Sequence, residues 1–338
     1  MNVRSVAHSL ISMACALTIV MALPLSATKN RPEDSHAIPA VLSVEHRVVS
    51  FWRDGVRLKG SVFKPSGLTA EQKLPGILMV HGWGGNRANL NRAYAAQFAE
   101  LGFVVMTFDV RGWGESDGFF LASDTAATAG GITSEPSSGA QMLVREIREV
   151  VDPLEMLHDT HAALAWFTAE PNLQADNLGI WGTSLGGALA IVTAARNSRI
   201  NAIVTQVGAV NSKANFAMIP DDMVEVWESQ RARGEIPPYP GPESALPGLR
   251  GYPDLIAMKR FDPAAEWQSV NVPTLIIDAE DEELFDRKVN GDALYRALQG
   301  RVPTEYLVLP GTHYSLYKEA GYSAALQAAQ AWFVRHLQ

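Results

Sequence analysis

Short apolar runs alternate with stretches of helical periodicity along most of the chain. The apolar runs contain few polar residues, as expected for strands that are buried on both faces of a sheet. The predicted strands are 76–80, 103–108, 178–181, 200–207, 274–277 and 304–309. The predicted helices are 88–101, 154–169, 186–196, 291–298 and 320–337. This alternation predicts an α/β fold with a mostly parallel sheet and helices on both faces.

A hairpin and two long irregular stretches complete this pattern. Two apolar runs between Val48 and Phe63 flank Asp54-Gly55, a pair typical of a tight turn between antiparallel strands. Residues 115–150 and 209–262 interrupt the alternation, and connections of this length inside a domain usually have a function or are disordered. We therefore expect one domain over 45–338, with an insertion at 115–150 and a cap or lid at 209–262. A solvent loop is the alternative for the second stretch.

The first 27 residues have the character of a secretory signal peptide. A single positive charge at Arg4 precedes an apolar segment that ends in small residues, and we expect cleavage after Ala27. Residues 28–44 are expected to be a polar linker. A lipid anchor at Cys15 and an uncleaved N-terminal anchor are the alternatives. The sequence thus predicts an exported protein, periplasmic or secreted, without a stable membrane span after cleavage.

Composition argues against nucleic acid as a partner. The formal net charge is −8, and non-specific nucleic-acid binding requires a basic surface, so no nucleic-acid partner is expected. Cys15 is the only cysteine, so the exported chain would have no disulfides. No spacing of His, Cys or Asp indicates a metal site, and no cofactor is expected.

Ser184 is the candidate nucleophile. It lies in Gly182-Thr183-Ser184-Leu185-Gly186, which matches the G-x-S-x-G pattern between a predicted strand and a predicted Ala-rich helix. A strained strand–turn–helix connection would expose the hydroxyl at a helix N-terminus, where developing negative charge is favoured. The pattern alone is weak, and a bystander serine in a glycine-rich turn is the alternative.

A serine hydroxyl needs a base, and the base needs an acid that orients it. His313 follows the last predicted strand, and ligand sites form at the carboxyl ends of parallel strands. Six carboxylates follow the strand at 274–277, in the chain order that such a serine site requires. They are Asp278, Glu280, Asp281, Glu282, Glu283 and Asp286. The residues alone do not choose among them.

A glycine-rich stretch, His81-Gly82-Trp83-Gly84-Gly85, follows the first parallel strand. The backbone N–H of Trp83 could bind an oxyanion together with that of Leu185, the residue after the nucleophile. A plain turn is the alternative for the glycines. For His81 we expect a structural hydrogen bond instead of a direct catalytic role.

Taken together, these segments resemble the α/β-hydrolase superfamily from about Val48 to Leu337. The stretch Asp109–Gly118 is similar to the D-x-R-G-x-G-x-S stretch of its dienelactone-hydrolase-like and Xaa-Pro-peptidase-like branches. The resemblance implies an acid at Glu282, where the family usually has Asp, with Asp281 and Asp278 as alternatives. It also implies chemistry that does not depend on a metal.

The sequence therefore predicts an exported serine hydrolase that cleaves carboxylic esters through an acyl-enzyme on Ser184. The alternatives are a peptidase or amidase with the same triad and a non-catalytic binding protein on this fold. The expected partner is a small ester or a short peptide-like molecule. Apolar residues of the insertion and the cap could line an acyl pocket or form the cap's own core. They are Phe119, Phe120, Phe216, Met218, Met223, Trp227 and Tyr239.

Overall fold

The computed structural model describes residues 42–122 and 143–338. Its main sheet has eight strands, β1 (Val44–Arg53), β2 (Val56–Pro65), β3 (Leu74–Val80), β4 (Val104–Asp109), β8 (Leu173–Thr183), β9 (Ile200–Gln206), β11 (Thr274–Ala279) and β12 (Thr304–Leu309). Their order across the sheet is β1-β2-β4-β3-β8-β9-β11-β12. The pairs β1·β2 and β2·β4 are antiparallel, and every pair from β4 to β12 is parallel. The predicted mostly parallel sheet is confirmed.

The predicted hairpin joins β1 and β2. Asp54 (φ 50°) and Gly55 (φ 78°) both adopt left-handed backbone conformations, and Arg53 pairs with Val56 across the turn. Two consecutive positive φ angles suit the twist of antiparallel strands, and Asp-Gly tolerates them at low cost.

Helices cover both faces of the sheet. They are α1 (segments Arg87–Leu90, Asn91–Ala95 and Ala96–Ala99), α2 (Pro153–Phe167), α3 (Leu185–Ala195), α4 (Ser212–Asn215), α5 (Asp221–Ala232), α6 (Leu255–Arg260), α7 (Gly291–Leu298) and α8 (Glu319–Leu337). Leu78 and Val80 of β3 belong to the core that includes α2 and α3, whereas Ile77 and Met79 belong to the core with α1 and α8. Alternate residues of one strand thus enter different cores, which explains why its sequence is apolar throughout.

The insertion contributes three short strands. They are β5 (Phe119–Ala122), β6 (Val144–Ile147) and β7 (Val150–Val151), and β5 pairs with β6. Residues 123–142 of the predicted insertion lie outside the described residues, as do the predicted signal peptide and all of the linker up to residue 41.

Residues 209–262 contain α4, α5 and α6, a short strand β10 (Tyr252–Pro253) that pairs with β7, and a small apolar core of their own. Trp227 is buried in that core, and Phe216 and Met223 pack against it. Tyr239 instead stacks on Phe119 of the insertion with 5.2 Å between ring centroids. Several of the apolar residues considered for an acyl pocket therefore stabilise the 209–262 segment itself.

Within the described part of the chain, no helix is both long and apolar enough to cross a bilayer.

Candidate active site

The candidate residues meet at one edge of the sheet. Ser184 follows β8, Glu282 follows β11, His313 follows β12 and Trp83 follows β3. These four strands run parallel within the order β3-β8-β9-β11-β12, so their carboxyl ends lie along the same edge. Residues that are far apart in sequence thus meet in one region, as expected for the ligand site of such a sheet.

Ser184 occupies a strained turn between β8 and α3. Its backbone has φ 53° and ψ −125°, a combination that costs free energy for any residue with a side chain. It is also the one residue between Leu178 and Ala194 that is not buried. The turn therefore exposes a single hydroxyl from an otherwise buried strand and helix.

Glycines flank this turn because side chains would collide there. A Cβ on Gly182 would lie 2.1 Å from the carbonyl oxygen of Gly186. A Cβ on Gly186 would lie 2.3 Å from the carbonyl oxygen of Val80 at the end of β3. Such distances are well below van der Waals contact, so the G-x-S-x-G pattern has a steric cause here.

His313 and Glu282 form a buried pair. The imidazole Nδ1 lies 2.9 Å from both carboxylate oxygens of Glu282, and the two side chains are 2% and 1% exposed. Because a carboxylate only accepts hydrogen bonds, Nδ1 carries the proton and Nε2 of the neutral ring is an acceptor. The structure thus places Glu282, the acid that the family resemblance implies, against His313.

The other carboxylates of this segment have different positions. Glu283 accepts a hydrogen bond of 2.8 Å from the backbone N–H of His313. The side chains of Glu280, Asp281 and Asp286 are exposed. Asp278, near the end of β11, is buried.

Asp278 accepts a hydrogen bond of 2.9 Å from the Tyr306 hydroxyl, while its Oδ1 is buried without a hydrogen-bond partner among the described residues. Burial raises the pKa of Asp278 to about 7, and the negative charge of Glu282 acts in the same direction. Asp278 therefore keeps its proton to a higher pH than an ordinary carboxyl group, and it has no direct hydrogen bond to the imidazole.

Tyr317 and Thr183, for which the sequence indicates no role, form a chain of contacts that starts at the imidazole. The Tyr317 hydroxyl lies 3.4 Å from Nε2 of His313 and 2.6 Å from Oγ1 of Thr183. Among the described residues, the Ser184 hydroxyl has no hydrogen-bond partner, but the contact through Tyr317 brings Nε2 beside the turn that carries it. The spacing of four residues between His313 and Tyr317, about one helical turn, is the sequence signal for this contact.

The backbone of the glycine-rich stretch lies against the serine turn. A Cβ on Gly82 would lie 2.7 Å from the Cβ of Ser184, so the two backbones are in close contact. The N–H of Trp83 donates to no other described residue, and Leu185 is the first residue of α3, whose N–H has no acceptor within the helix. Both predicted oxyanion donors thus lie beside Ser184 without an acceptor among the described residues. The Trp83 indole donates to the carbonyl of Arg250, in the 209–262 segment, at 2.8 Å.

His81 is a buried structural residue. Its Nδ1 lies 2.9 Å from the carbonyl oxygen of Gly82, and its Nε2 accepts a bond of 3.4 Å from the Val110 N–H. Burial lowers the pKa of His81, which favours the neutral ring that these two bonds require.

The stretch Asp109–Gly118 organises the backbone beside the site. The Asp109 carboxylate accepts from the backbone N–H groups of Arg87 and Glu115, at 2.7 and 3.0 Å. The Arg111 guanidinium is buried against Asp159 of α2, with a shortest contact of 2.6 Å. Asp109 and Arg111 of this family-like stretch are therefore bonded to groups within the protein.

No group of three or more metal-ligating side chains occurs in residues 42–122 and 143–338.

Comparison with known proteins agrees with this geometry. The dienelactone hydrolase family model matches residues 58–222, and the BAAT / acyl-CoA thioester hydrolase C-terminal model matches residues 160–314. An uncharacterized 31.7 kDa protein of Escherichia coli, from the traX-finO intergenic region, is 25% identical over 299 residues, which cover 78% of this chain and 92% of that protein. Thiohydrolase aneE of Aspergillus aculeatus is 24% identical over 179 residues, covering 53% of this chain and 46% of the relative.

The fold has close counterparts among solved structures. The α/β hydrolase GrgF from a Penicillium species superimposes with a TM-score of 0.63 at 18% identity, covering 87% of this chain and 99% of GrgF. At this identity the likeness shows the fold alone, and each family model matches slightly less than half of the chain. The chain therefore has the α/β-hydrolase fold, and its sequence is similar to the dienelactone hydrolase family over residues 58–222.

Proposed function

We propose that the protein is a serine hydrolase that cleaves carboxylic esters with Ser184, His313 and Glu282 as its triad. Ser184 attacks the ester carbonyl while Nε2 of His313 takes its proton, and Glu282 stabilises the imidazolium. The N–H groups of Trp83 and Leu185 bind the tetrahedral oxyanion. The imidazolium then protonates the leaving alcohol, and water hydrolyses the acyl-enzyme by the same steps.

The observation that carries this proposal is the buried His313–Glu282 pair beside the strained turn of Ser184. A carboxylate at 2.9 Å from Nδ1 fixes the tautomer in which Nε2 can act as a base. The combination of φ 53° and ψ −125° at Ser184 costs free energy, and such backbone strain is often found at functional sites. A binding protein without catalysis would need neither feature.

Thioesters are a second candidate substrate class. The acyl-CoA thioester hydrolase model covers residues 160–314, the range that contains all three proposed triad residues, and one relative is named a thiohydrolase. Esters and thioesters undergo the same acyl transfer and differ in the leaving group. Parallel assays with an oxygen ester, the matching thioester and a matching amide would rank these classes and also test the peptidase alternative.

Replacement of Ser184 tests the mechanism. We expect Ser184→Ala to lower kcat for a p-nitrophenyl ester by about 10⁴-fold or more and to abolish labelling by a fluorophosphonate probe. The matched control is Ser229→Ala, because Ser229 is an exposed serine on α5. Normal ester turnover or continued labelling in Ser184→Ala would refute the assignment.

We also propose that the protein is exported. This proposal rests on the charge and apolar pattern of residues 1–27 alone. N-terminal sequencing of the protein from a periplasmic extract is the test, and the expected mature chain begins at Thr28.

A further inference from the structure

Nε2 of His313 has two neighbours that could compete for it. If His313 is the base that we propose, Nε2 must be free to accept the Ser184 proton. The Tyr317 hydroxyl lies 3.4 Å from the same nitrogen. A phenol that donated its proton to Nε2 would occupy the lone pair that the serine needs.

The hydrogen bonds of Thr183 determine which atom accepts the proton of the Tyr317 hydroxyl. The Thr183 hydroxyl donates to the main-chain carbonyl of Gln206 at 3.1 Å, and a hydroxyl has only one proton. In the contact of 2.6 Å between the two hydroxyls, Thr183 is therefore the acceptor and Tyr317 the donor. The single Tyr317 proton is thus used at Thr183, and the phenol oxygen faces Nε2 with a lone pair.

The surroundings hold this arrangement in place. Thr183 is 4% exposed, and burial raises the pKa of Tyr317, so the phenol keeps its proton. The Gln206 carbonyl also accepts from the Ser184 N–H at 3.0 Å, and the Gln206 side-chain amide donates to the carbonyl of Leu316 at 3.3 Å. Gln206 thereby joins the serine turn to the segment that carries Tyr317.

We propose that Thr183 and Tyr317 are positioning residues that keep Nε2 of His313 available for the Ser184 proton. This inference rests on the proposed serine mechanism. Without the Thr183 hydroxyl, the Tyr317 hydroxyl would lose its acceptor and would donate its proton to Nε2 instead. The loss of activity on removing the Thr183 hydroxyl should therefore depend on the presence of the Tyr317 hydroxyl.

A double-mutant cycle tests this dependence. The variants are Thr183→Val, Tyr317→Phe and the combination, measured by kcat/KM for a p-nitrophenyl ester. With Tyr317 intact we expect Thr183→Val to lower kcat/KM about tenfold, the effect of one competing hydrogen bond. In the Tyr317→Phe background the same substitution should cost less than about twofold, because no phenol proton remains to compete. Thr183→Ser, which keeps the hydroxyl, is the matched control and should stay close to the parent.

The pH profile separates this role from a purely structural one. A phenol proton on Nε2 stabilises the neutral imidazole, so the acid limb of kcat/KM should move to lower pH in Thr183→Val. In the double variant it should return towards that of Tyr317→Phe. The other titratable groups in contact with or close to the ring are Asp278, Glu282, Glu283 and Tyr314, and all four are unchanged in these variants.

Equal losses from Thr183→Val in both backgrounds, no loss in either, or an acid limb that does not move would overturn the inference. Thermal unfolding of each variant monitors folding, and Thr183→Ala replaces Thr183→Val in the cycle if the valine variant does not fold. Fluorophosphonate labelling of the parent distinguishes the two proposals. If Ser184 is labelled and the cycle shows no coupling, only this inference fails, whereas absence of labelling refutes the serine mechanism itself.

Discussion

At the scale of single residues, the site depends on unfavourable local states that the surrounding structure maintains. Ser184 has a positive φ, and His313 and Glu282 are ionisable groups with almost no exposure. A buried carboxylate is costly unless it is hydrogen-bonded. Glu282 meets this requirement through the imidazole and through the backbone N–H of Leu284 at 3.0 Å. These contacts are the reason that one of six nearby carboxylates is suited to orient the base.

Glu282 should be needed to keep the His313 ring in the tautomer that accepts the serine proton. We expect Glu282→Gln to lower kcat by about 10³- to 10⁴-fold, because an amide can donate to Nδ1 and stabilise the wrong tautomer. The matched control is Asp281→Asn, since the Asp281 side chain is exposed and only its backbone N–H bonds to Gly311. A larger loss in Asp281→Asn than in Glu282→Gln would show that the acid is assigned here to the wrong residue. The measurement is kcat on the same ester, at saturating concentration.

At the scale of elements, the carboxyl ends of β11 and β12 hold a buried acid that the mechanism does not use. Asp278, the residue before the last of β11, contacts the Tyr306 hydroxyl, and close packing brings Gly291 against its Oδ2. A Cβ at position 291 would lie 2.0 Å from that oxygen, so the first residue of α7 must be small. The absence of solvent explains the raised pKa of Asp278.

This buried acid makes stability depend on pH. The pKa of Asp278 is raised from 3.8 to about 7, so the folded state binds a proton more tightly than the unfolded state. Between these values the free energy of unfolding of the parent, relative to Asp278→Asn, should fall as pH rises, by up to about 4 kcal/mol. Urea unfolding at pH 4.5 and pH 8 measures this difference. Parallel pH dependence of the two proteins would contradict it.

At the scale of the whole molecule, buried charges connect the sheet to the helices around it. Arg111, just after β4, bonds to Asp159 of α2 through its backbone N–H and its guanidinium, and it also contacts Glu155 at 3.0 Å. Asp159 is fully buried, so its charge depends on this partner. A hydrogen bond from the Trp83 indole to the Arg250 carbonyl connects the glycine-rich stretch to the 209–262 segment.

Breaking the buried pair should destabilise the fold. We expect Arg111→Met to lower the free energy of unfolding by about 3–5 kcal/mol, because the buried Asp159 loses its hydrogen-bonded partner and keeps only the Arg53 guanidinium, 3.8 Å away. The combined Arg111→Met and Asp159→Leu replacement should recover part of this loss. Arg57→Met is the control, since its pair with Asp117 is partly exposed and should contribute less than about 1 kcal/mol. Urea unfolding at pH 7 measures all three, and equal losses for Arg111→Met and Arg57→Met would contradict the expectation.

Much of the fold could be predicted because it follows from local rules. Strands buried on both faces are mostly apolar, so β3, β4 and β9 were recognisable, and Asp54-Gly55 marked its hairpin. The prediction for β8 was too short: of residues 173–177, Leu173 pairs with Leu74 of β3, and the exposed Gln174 and Asp176 lie in a shift of register before Leu178. Periodicity does not detect strand residues of this kind.

The sequence by itself determined the alternation of strands and helices, the turn at Ser184 and the position of His313 after the last strand. These features depend on neighbours in the chain, whose spacing the sequence contains directly. Only the tertiary structure decided which carboxylate contacts His313, where the Arg111 charge is used, and that Thr183 contacts the Tyr317 hydroxyl. Those contacts join residues 31, 48 and 134 positions apart. Such distant segments meet because a parallel sheet brings the carboxyl ends of its strands to one edge.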